Sequence, residues 1–197
     1  MLRIALYRLL FRYRIAKGAR VGGGTLIAVN KASIGRASIG RRNTFSGPFT
    51  LCIGEGVEIG HENLILCGDW AAAEEFSEGG YERSCTLEAG SMITSGHFID
   101  AVGGFVLGAG SWIAGRGSQF WTHGAGVRDR RVSIGARCYV GSAVRLAPGA
   151  SIADESVVAI GSVVTRKLTS QRVLIAGVPA SVVREDYESP LAGREES

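Results

Sequence analysis

Residues 133–167 read SIGARCYVGSAVRLAPGASIADESVVAIGSVVTRK, and in them Ile134, Val140, Leu146, Ile152, Val158 and Val164 stand six apart. A period of six is neither the 3.6 of a helix nor the 2 of a simple strand. It suits a β-solenoid, in which each hexapeptide is one short strand plus a turn and successive coils stack. The residue after each aliphatic is small at Gly135, Gly141, Ala147, Ala153 and Ala159, with Thr165 the exception. A small residue there lets the backbone bend at a corner. Cys138, Val144, Ala150, Ser156 and Ser162 form a second row small enough to share a narrow interior. Alternating strands of an ordinary sandwich would not hold this period. The expected fold class is all-β, a parallel β-helix of hexapeptide repeats.

The same period extends toward the N-terminus. Ile39, Phe45, Leu51 and Val57 are six apart, as are Ile53, Ile59 and Ile65, which places a first block over about residues 21–66. Leu87, Ile93, Ile99 and Phe105 restart it, and a two-place shift leads to Leu107 and Ile113. Two stretches break it, at about residues 67–86 and 120–131, and both are expected to be loops leaving the coil. Residues 171–184 (QRVLIAGVPASVVR) read as a return strand and turn. The division is therefore a basic helix over residues 1–20, a solenoid over 21–184 and a flexible tail over 185–197.

A length of 197 residues fits one domain, and abundant glycine with few aromatics fits tight turns around a thin interior. The four cysteines, Cys52, Cys67, Cys85 and Cys138, show no CxxC spacing, which favours a reducing compartment. No apolar run reaches about 18 residues, and the first residues lack the uncharged apolar stretch of a signal peptide. The expected location is cytoplasmic, with the inner face of the membrane as a variant. Arg3, Arg8, Arg12, Arg14, Lys17 and Arg20 lie in the first twenty residues with no acid among them; over the rest, acids slightly outnumber bases. The basic balance thus comes from one segment, and no nucleic-acid partner is expected. Within residues 2–16, Ile4, Tyr7, Leu10, Phe11 and Ile15 recur at helical spacing. Two readings stand: a cap on the open end of the solenoid, or a peripheral membrane contact with arginines on anionic lipid.

From Leu87 to Arg184 the chain resembles the hexapeptide-repeat acyltransferases, in particular their galactoside and maltose O-acetyltransferase branch. The resemblance rests on Thr122-His123-Gly124, on the stretch 133–167 and on Ala176-Gly177-Val178-Pro179. It implies a left-handed coil, a homotrimer with clefts between subunits, and acetyl transfer from acetyl-CoA without a metal. It also implies that His123 is the general base, since an acceptor hydroxyl is a poor nucleophile until an imidazole takes its proton. Gly141 and Ser142 match positions that give backbone donors to the oxyanion. The resemblance further assigns Ile160, Thr165, Arg166, Lys167 and Arg184 to CoA, although Ser181 replaces an arginine of the galactoside branch and Arg172 is left as a substitute. The acceptor side is less sharply marked. His97 and Asp100 stand where that branch has a sugar-binding asparagine, as acceptor ligands or as an orienting pair for His123; a turn-capping role for His97 is equally open. Gln119 and Trp121 are further acceptor candidates, and Arg116 a candidate for an acidic sugar.

The implied activity is acetyl-CoA-dependent O-acetylation of a sugar hydroxyl, with bacterial surface-polysaccharide assembly as the setting. Alternatives on the same fold are N-acetylation of an amino sugar or small amine, and a non-catalytic trimeric scaffold. A metal enzyme is a weaker alternative. His61 and His97 have the spacing of two γ-class carbonic anhydrase ligands, but Val102 stands at the third ligand position.

Overall fold

The structure, a computed structural model, describes residues 2–192, without the side chains of residues 2, 3, 77 and 78. Short parallel strands stack on three faces of a prism. The first face runs from Leu26–Ile34 through the start of Thr44–Ile53 to Leu64–Leu66, Phe98–Asp100, Gln119–Phe120, Arg145–Leu146 and Val163–Val164. The second runs from Arg14–Ile15 to Lys167–Leu168, and the third from Arg20–Val21 to Leu174–Gly177. The two longest strands, Leu26–Ile34 and Thr44–Ile53, turn the corner from the first face onto the second, so those faces merge into one sheet.

The period of six becomes three inward columns. Ile27, Phe45, Ile65, Ile99, Phe120, Leu146 and Val164 lie in register on the first face. Ile34, Ile53, Leu87, Leu107, Ile134, Ile152 and Leu168 form the second column. Ile39, Ile59, Ile93, Ile113, Val140, Val158 and Ile175 form the third. All are buried, as are Cys138, Val144, Ala150, Ser156 and Ser162 of the second row. β-Branched residues dominate because their stiff side chains pack well on a pleated surface.

The coil begins earlier than the periodicity suggests. Ile15 pairs with Ile34 as a column residue, and the helix stops at Leu10 instead of reaching residue 16. Parallel stacking leaves backbone groups of the first coil without a strand to pair with. The N-terminal segment answers this with side chains. The Tyr7 hydroxyl accepts from Ile27 N (3.1 Å), and the Tyr13 hydroxyl accepts from Val29 N (3.0 Å) and donates to Val29 O (2.6 Å). Arg8 donates to the carbonyls of Ile15 (2.7 Å) and Ala16 (3.0 Å). Leu6, Leu9, Leu10 and Phe11 remain exposed.

At the other end Leu174–Gly177 turns back, and Ala180–Arg184 runs antiparallel to it, closing that edge of the third face. The tail expected to be loose from residue 185 is docked over part of its length: Tyr187 N donates to Arg172 O (2.7 Å), Ser189 Oγ donates to Arg137 O (2.9 Å), and Leu191 is buried. Residues 193–197 of that tail lie outside the described residues. No helix among the described residues is long and apolar enough to cross a membrane.

Candidate active site

Both excursions leave the prism at the same edge, between the first and second faces. One follows Leu64–Leu66 and contains two short 3-10 turns, Asp69–Ala72 and Glu74–Gly79; the other follows Gln119–Phe120 and ends at Val132. Turns at one edge stack, so the two loops meet. Arg130 Nη1 donates to Gly79 O (2.6 Å), its guanidinium lies 4.3 Å from the Tyr81 ring centre, and Arg131 pairs with Glu82 at 2.8 Å.

His123 stands where they meet. Its Nδ1 is 2.6 Å from Asp100 Oδ2. Asp100 is buried beneath the loops with its side chain 4% exposed, and the imidazole is 35% exposed. Thr122 N (2.8 Å) and the Thr122 hydroxyl (2.8 Å) also face Asp100 Oδ2, and Val102 N donates to Oδ1 (3.2 Å). An ionised carboxylate only accepts, so Nδ1 carries a proton toward it, and in the neutral ring Nε2 is then the nitrogen with the free lone pair. Trp70 packs its indole against the imidazole with centroids 5.3 Å apart and planes at 62°. A half-exposed imidazole with a fixed tautomer can abstract a proton from a bound hydroxyl or amine.

Asp100 is therefore placed as the orienting partner of His123; it is too deeply buried to ligate an acceptor. His97 is not at the site. It is 2% exposed and belongs to a polar ladder inside the edge between the third and first faces. There Asn43 N donates to Thr25 Oγ1, Asn63 N to Asn43 Oδ1, His97 N to Asn63 Oδ1 and Ser118 N to His97 Nδ1 (3.1 Å). Each side chain occupies one turn and satisfies the next coil's backbone. Burial lowers the His97 pKa to about 4, and the acceptor role of Nδ1 fits the neutral form. Arg116 pairs with Glu62 at 3.5 Å on that same edge, away from His123. His61 Nδ1 accepts from Arg41 N (2.8 Å). Among the described residues no three His, Cys, Asp or Glu side chains converge on a metal position.

Gln119 and Trp121 lie on the first face beside the His123 loop. Gln119 Oε1 accepts from Trp121 Nε1 (3.4 Å) and Arg145 Nε (3.4 Å), and Trp121 lies 4.6 Å from the Phe98 ring. Thr165, Arg166 and Lys167 are exposed on the edge that carries the His123 loop, and Lys167 pairs with Asp129 of that loop at 2.7 Å. Gly141, Ser142 and Ile160 lie instead at the edge between the third and first faces. Gly141 N donates to Val158 O within the stack (2.9 Å), so it is not free to face an oxyanion. Ile160 is 74% exposed. Arg184 lies over the Tyr187 ring near the C-terminal hairpin.

Sequence reasoning gave no role to Trp70, nor to the tie between Arg130, Arg131 and the first loop. Both join residues about 50 apart across two loops without periodicity. Thr122 was quoted only as part of the motif, although its position next to His123 and its hydroxyl made it a candidate for bonding an acid.

No family model matches the chain. The galactoside O-acetyltransferase of Escherichia coli (strain K12) is 43% identical over 54 residues, which are 27% of this chain and 26% of that one. The alignment thus spans about a quarter of the curated relative. Among solved structures, the polysialic acid O-acetyltransferase OatWY superposes with a TM-score of 0.69 at 21% identity, over 93% of this chain and 87% of that one. A maltose O-acetyltransferase from Clostridium difficile 630 gives 0.52 at 20% identity, over 70% of each chain. A hexapeptide transferase family protein from Anaplasma phagocytophilum gives 0.53 at 20% identity, over 86% of each. The chain has the left-handed parallel β-helix of the hexapeptide-repeat transferases and resembles a galactoside O-acetyltransferase in one stretch of sequence.

Proposed function

We propose that the protein is an acetyl-CoA-dependent O-acetyltransferase acting on a sugar hydroxyl, with His123 as the general base. The observation that carries this reading is the imidazole itself, held by a buried carboxylate and presented half-exposed between two loops. Nε2 takes the proton as the acceptor oxygen attacks the thioester carbonyl. The new C–O bond forms, the C–S bond breaks, and the proton passes to the departing thiolate, which leaves as free CoA. The sugar class is supported by relatives named for galactosides, maltose and polysialic acid. The exposed indole of Trp121 offers an apolar face for a sugar ring, with Gln119 beside it.

The residues assigned to CoA fit an elongated, phosphate-bearing substrate in part. Thr165 and Arg166 are exposed near the histidine loop, whereas Lys167 is engaged by Asp129. Ser142 and Ile160 lie across the width of the first face from His123, so one protomer does not bring them together. A homotrimer, in which His123 of one protomer faces the 142–160 edge of another, resolves that separation. Exposed Leu26, Leu64 and Trp121 on the intervening face support such packing. The setting we propose is surface-polysaccharide assembly on the cytoplasmic side, where exposed Leu6, Leu9 and Leu10 rest the capping helix on the inner membrane face.

The test is a panel of mono- and oligosaccharides incubated with acetyl-CoA, following free thiol and the acetylated product by mass. Acceptor-dependent thiol release with an alkali-labile O-acetyl product is expected. An alkali-stable amide would move the assignment to N-transfer. No release with any acceptor, from a folded trimer, would leave a scaffold.

A further inference from the structure

The edge that carries His123 also carries a hollow near its N-terminal end. A cavity of about 560 Å³ is lined by Phe11, Arg12, Tyr13, Arg14 and Lys31, among others. A second, of about 200 Å³, adjoins it through the shared residues Asn30, Lys31 and Thr50 and reaches Arg83. Four cations thus line one continuous groove. Among the described residues none of the four makes an ion pair. The one acid in the groove, Glu82, is engaged by Arg131 and by the Ser84 hydroxyl.

The cations are spread along the edge. Arg12 and Arg14 precede or begin the first coil, Lys31 lies on the next and Arg83 two coils beyond that. The arrangement suits a chain carrying charge at intervals better than a single compact anion. The Phe11 ring is exposed at the groove and stacks on Tyr13 at 5.5 Å, offering an apolar face beside the cations. From Ser33 the second face steps through Cys52, Thr86 and Val106 to Ser133, just after the His123 loop. At about 4.8 Å a step, four steps put the Lys31 coil roughly 19 Å from the end of the histidine loop, with Arg14 one coil beyond, and two put the Arg83 end roughly 10 Å from it, where Glu82 meets Arg131 of that loop. The Arg14 end is too far for the sugar being acetylated, and the groove as a whole is within reach of other residues of the same glycan.

We infer that this groove binds an acidic oligosaccharide, a carboxylate-bearing stretch of the acceptor glycan that leads away from the acetylated unit. The glycan class rests on the transfer reading above; the preference for anions rests on the groove alone. Guanidinium groups pair with carboxylates through two parallel hydrogen bonds, so Arg12 and Arg14 give specificity as well as charge.

The test uses the full chain and titration calorimetry with tetragalacturonic acid, with maltotetraose as the neutral control, at low and high salt. The acidic tetramer should bind about tenfold or more tighter than the neutral one, and salt should weaken it. An Arg14→Gln, Lys31→Gln variant, altered at exposed positions, should lose about tenfold of that affinity while acetylating a monosaccharide acceptor at the wild-type rate. His123→Ala should bind the tetramer normally. Equal binding of the two tetramers, or affinity unchanged in the double variant, would overturn the inference. So would loss of binding to phosphatidylserine vesicles in that variant with tetramer binding intact, because the groove would then be a lipid site. Retained tetramer binding with no acetyl transfer to any acceptor would remove the enzymatic reading and leave the anion groove standing.

Discussion

Asp100→Asn separates holding His123 from merely filling space beneath it. The amide keeps the volume but can turn its NH₂ toward Nδ1, which favours the wrong tautomer. We expect turnover to fall by about 10–10³-fold, a share of the 10²–10⁴-fold that a positioned base contributes. The pH–rate profile should shift as well, a change that simple loosening would not produce. The Asp100→Asn, His123→Ala double variant should be no slower than His123→Ala alone, because the two act as one unit. His97 makes a different prediction. Its pKa is about 4 in the fold against about 6.5 in an unfolded chain. The folded state therefore binds fewer protons between those values. The stability contributed by neutral His97 is fully present above pH 6.5 and is lost as pH falls through 4, on the order of 3 kcal/mol in all. Chemical denaturation at pH 7.5 and pH 4.5 should show this loss, and a His97→Gln variant should show less of it.

At the level of elements, the hexapeptide period exposed most of the coil and little of what leaves it. Ile134 to Val164 occupy buried columns because one face of every strand is interior and the spacing admits one register. The first coil was harder to see. Ile15 also fits a helical stripe with Tyr7 and Phe11, and only the stacked partner Ile34 decides between them. His123 was singled out by its motif, and the structure places it where the two loops meet, bonded to Asp100. Asp100 was visible as a neighbour of the right kind, with acceptor ligand and orienting partner both open, and the structure brings its carboxylate to His123 Nδ1. His97 was left open between acceptor ligand and turn cap, because a histidine in a turn reads alike whether it faces a ligand or bonds the next coil, and the structure places it in the turn ladder. Trp70 and Arg130 were not legible, since loops that meet across coils have no repeat to place them. Arg130→Ala tests that meeting. It removes the bond to Gly79 and the contact with Tyr81. Amide exchange over residues 69–80 should speed up and KM for the acceptor should rise several-fold, with the exchange of the central strands unchanged. The helix has its own test: Leu9→Asp with Leu10→Ser should abolish flotation with anionic vesicles and leave the thermal midpoint nearly unchanged, because both side chains are exposed.

The whole molecule is a three-sided prism, and both loop excursions leave it at the edge where His123 stands. The coils share one interior, so a cavity in a central column is felt along the stack: Leu146→Ala should cost about 2–5 kcal/mol in a denaturant titration. The first face joins the edge of His123 to the edge of Ser142 and Ile160, and Leu64 is exposed on it, where the trimer we propose would pack a second protomer. Leu64→Glu should convert a trimer to monomers in light scattering and abolish turnover with the fold retained. The most direct measurement is acceptor-dependent thiol release from acetyl-CoA by wild-type protein and by His123→Ala, compared at matched circular dichroism and matched oligomeric state. The account predicts a fall of about 10²–10⁴-fold in the variant. Equal rates would contradict it, because the imidazole on Asp100 would then not be the base.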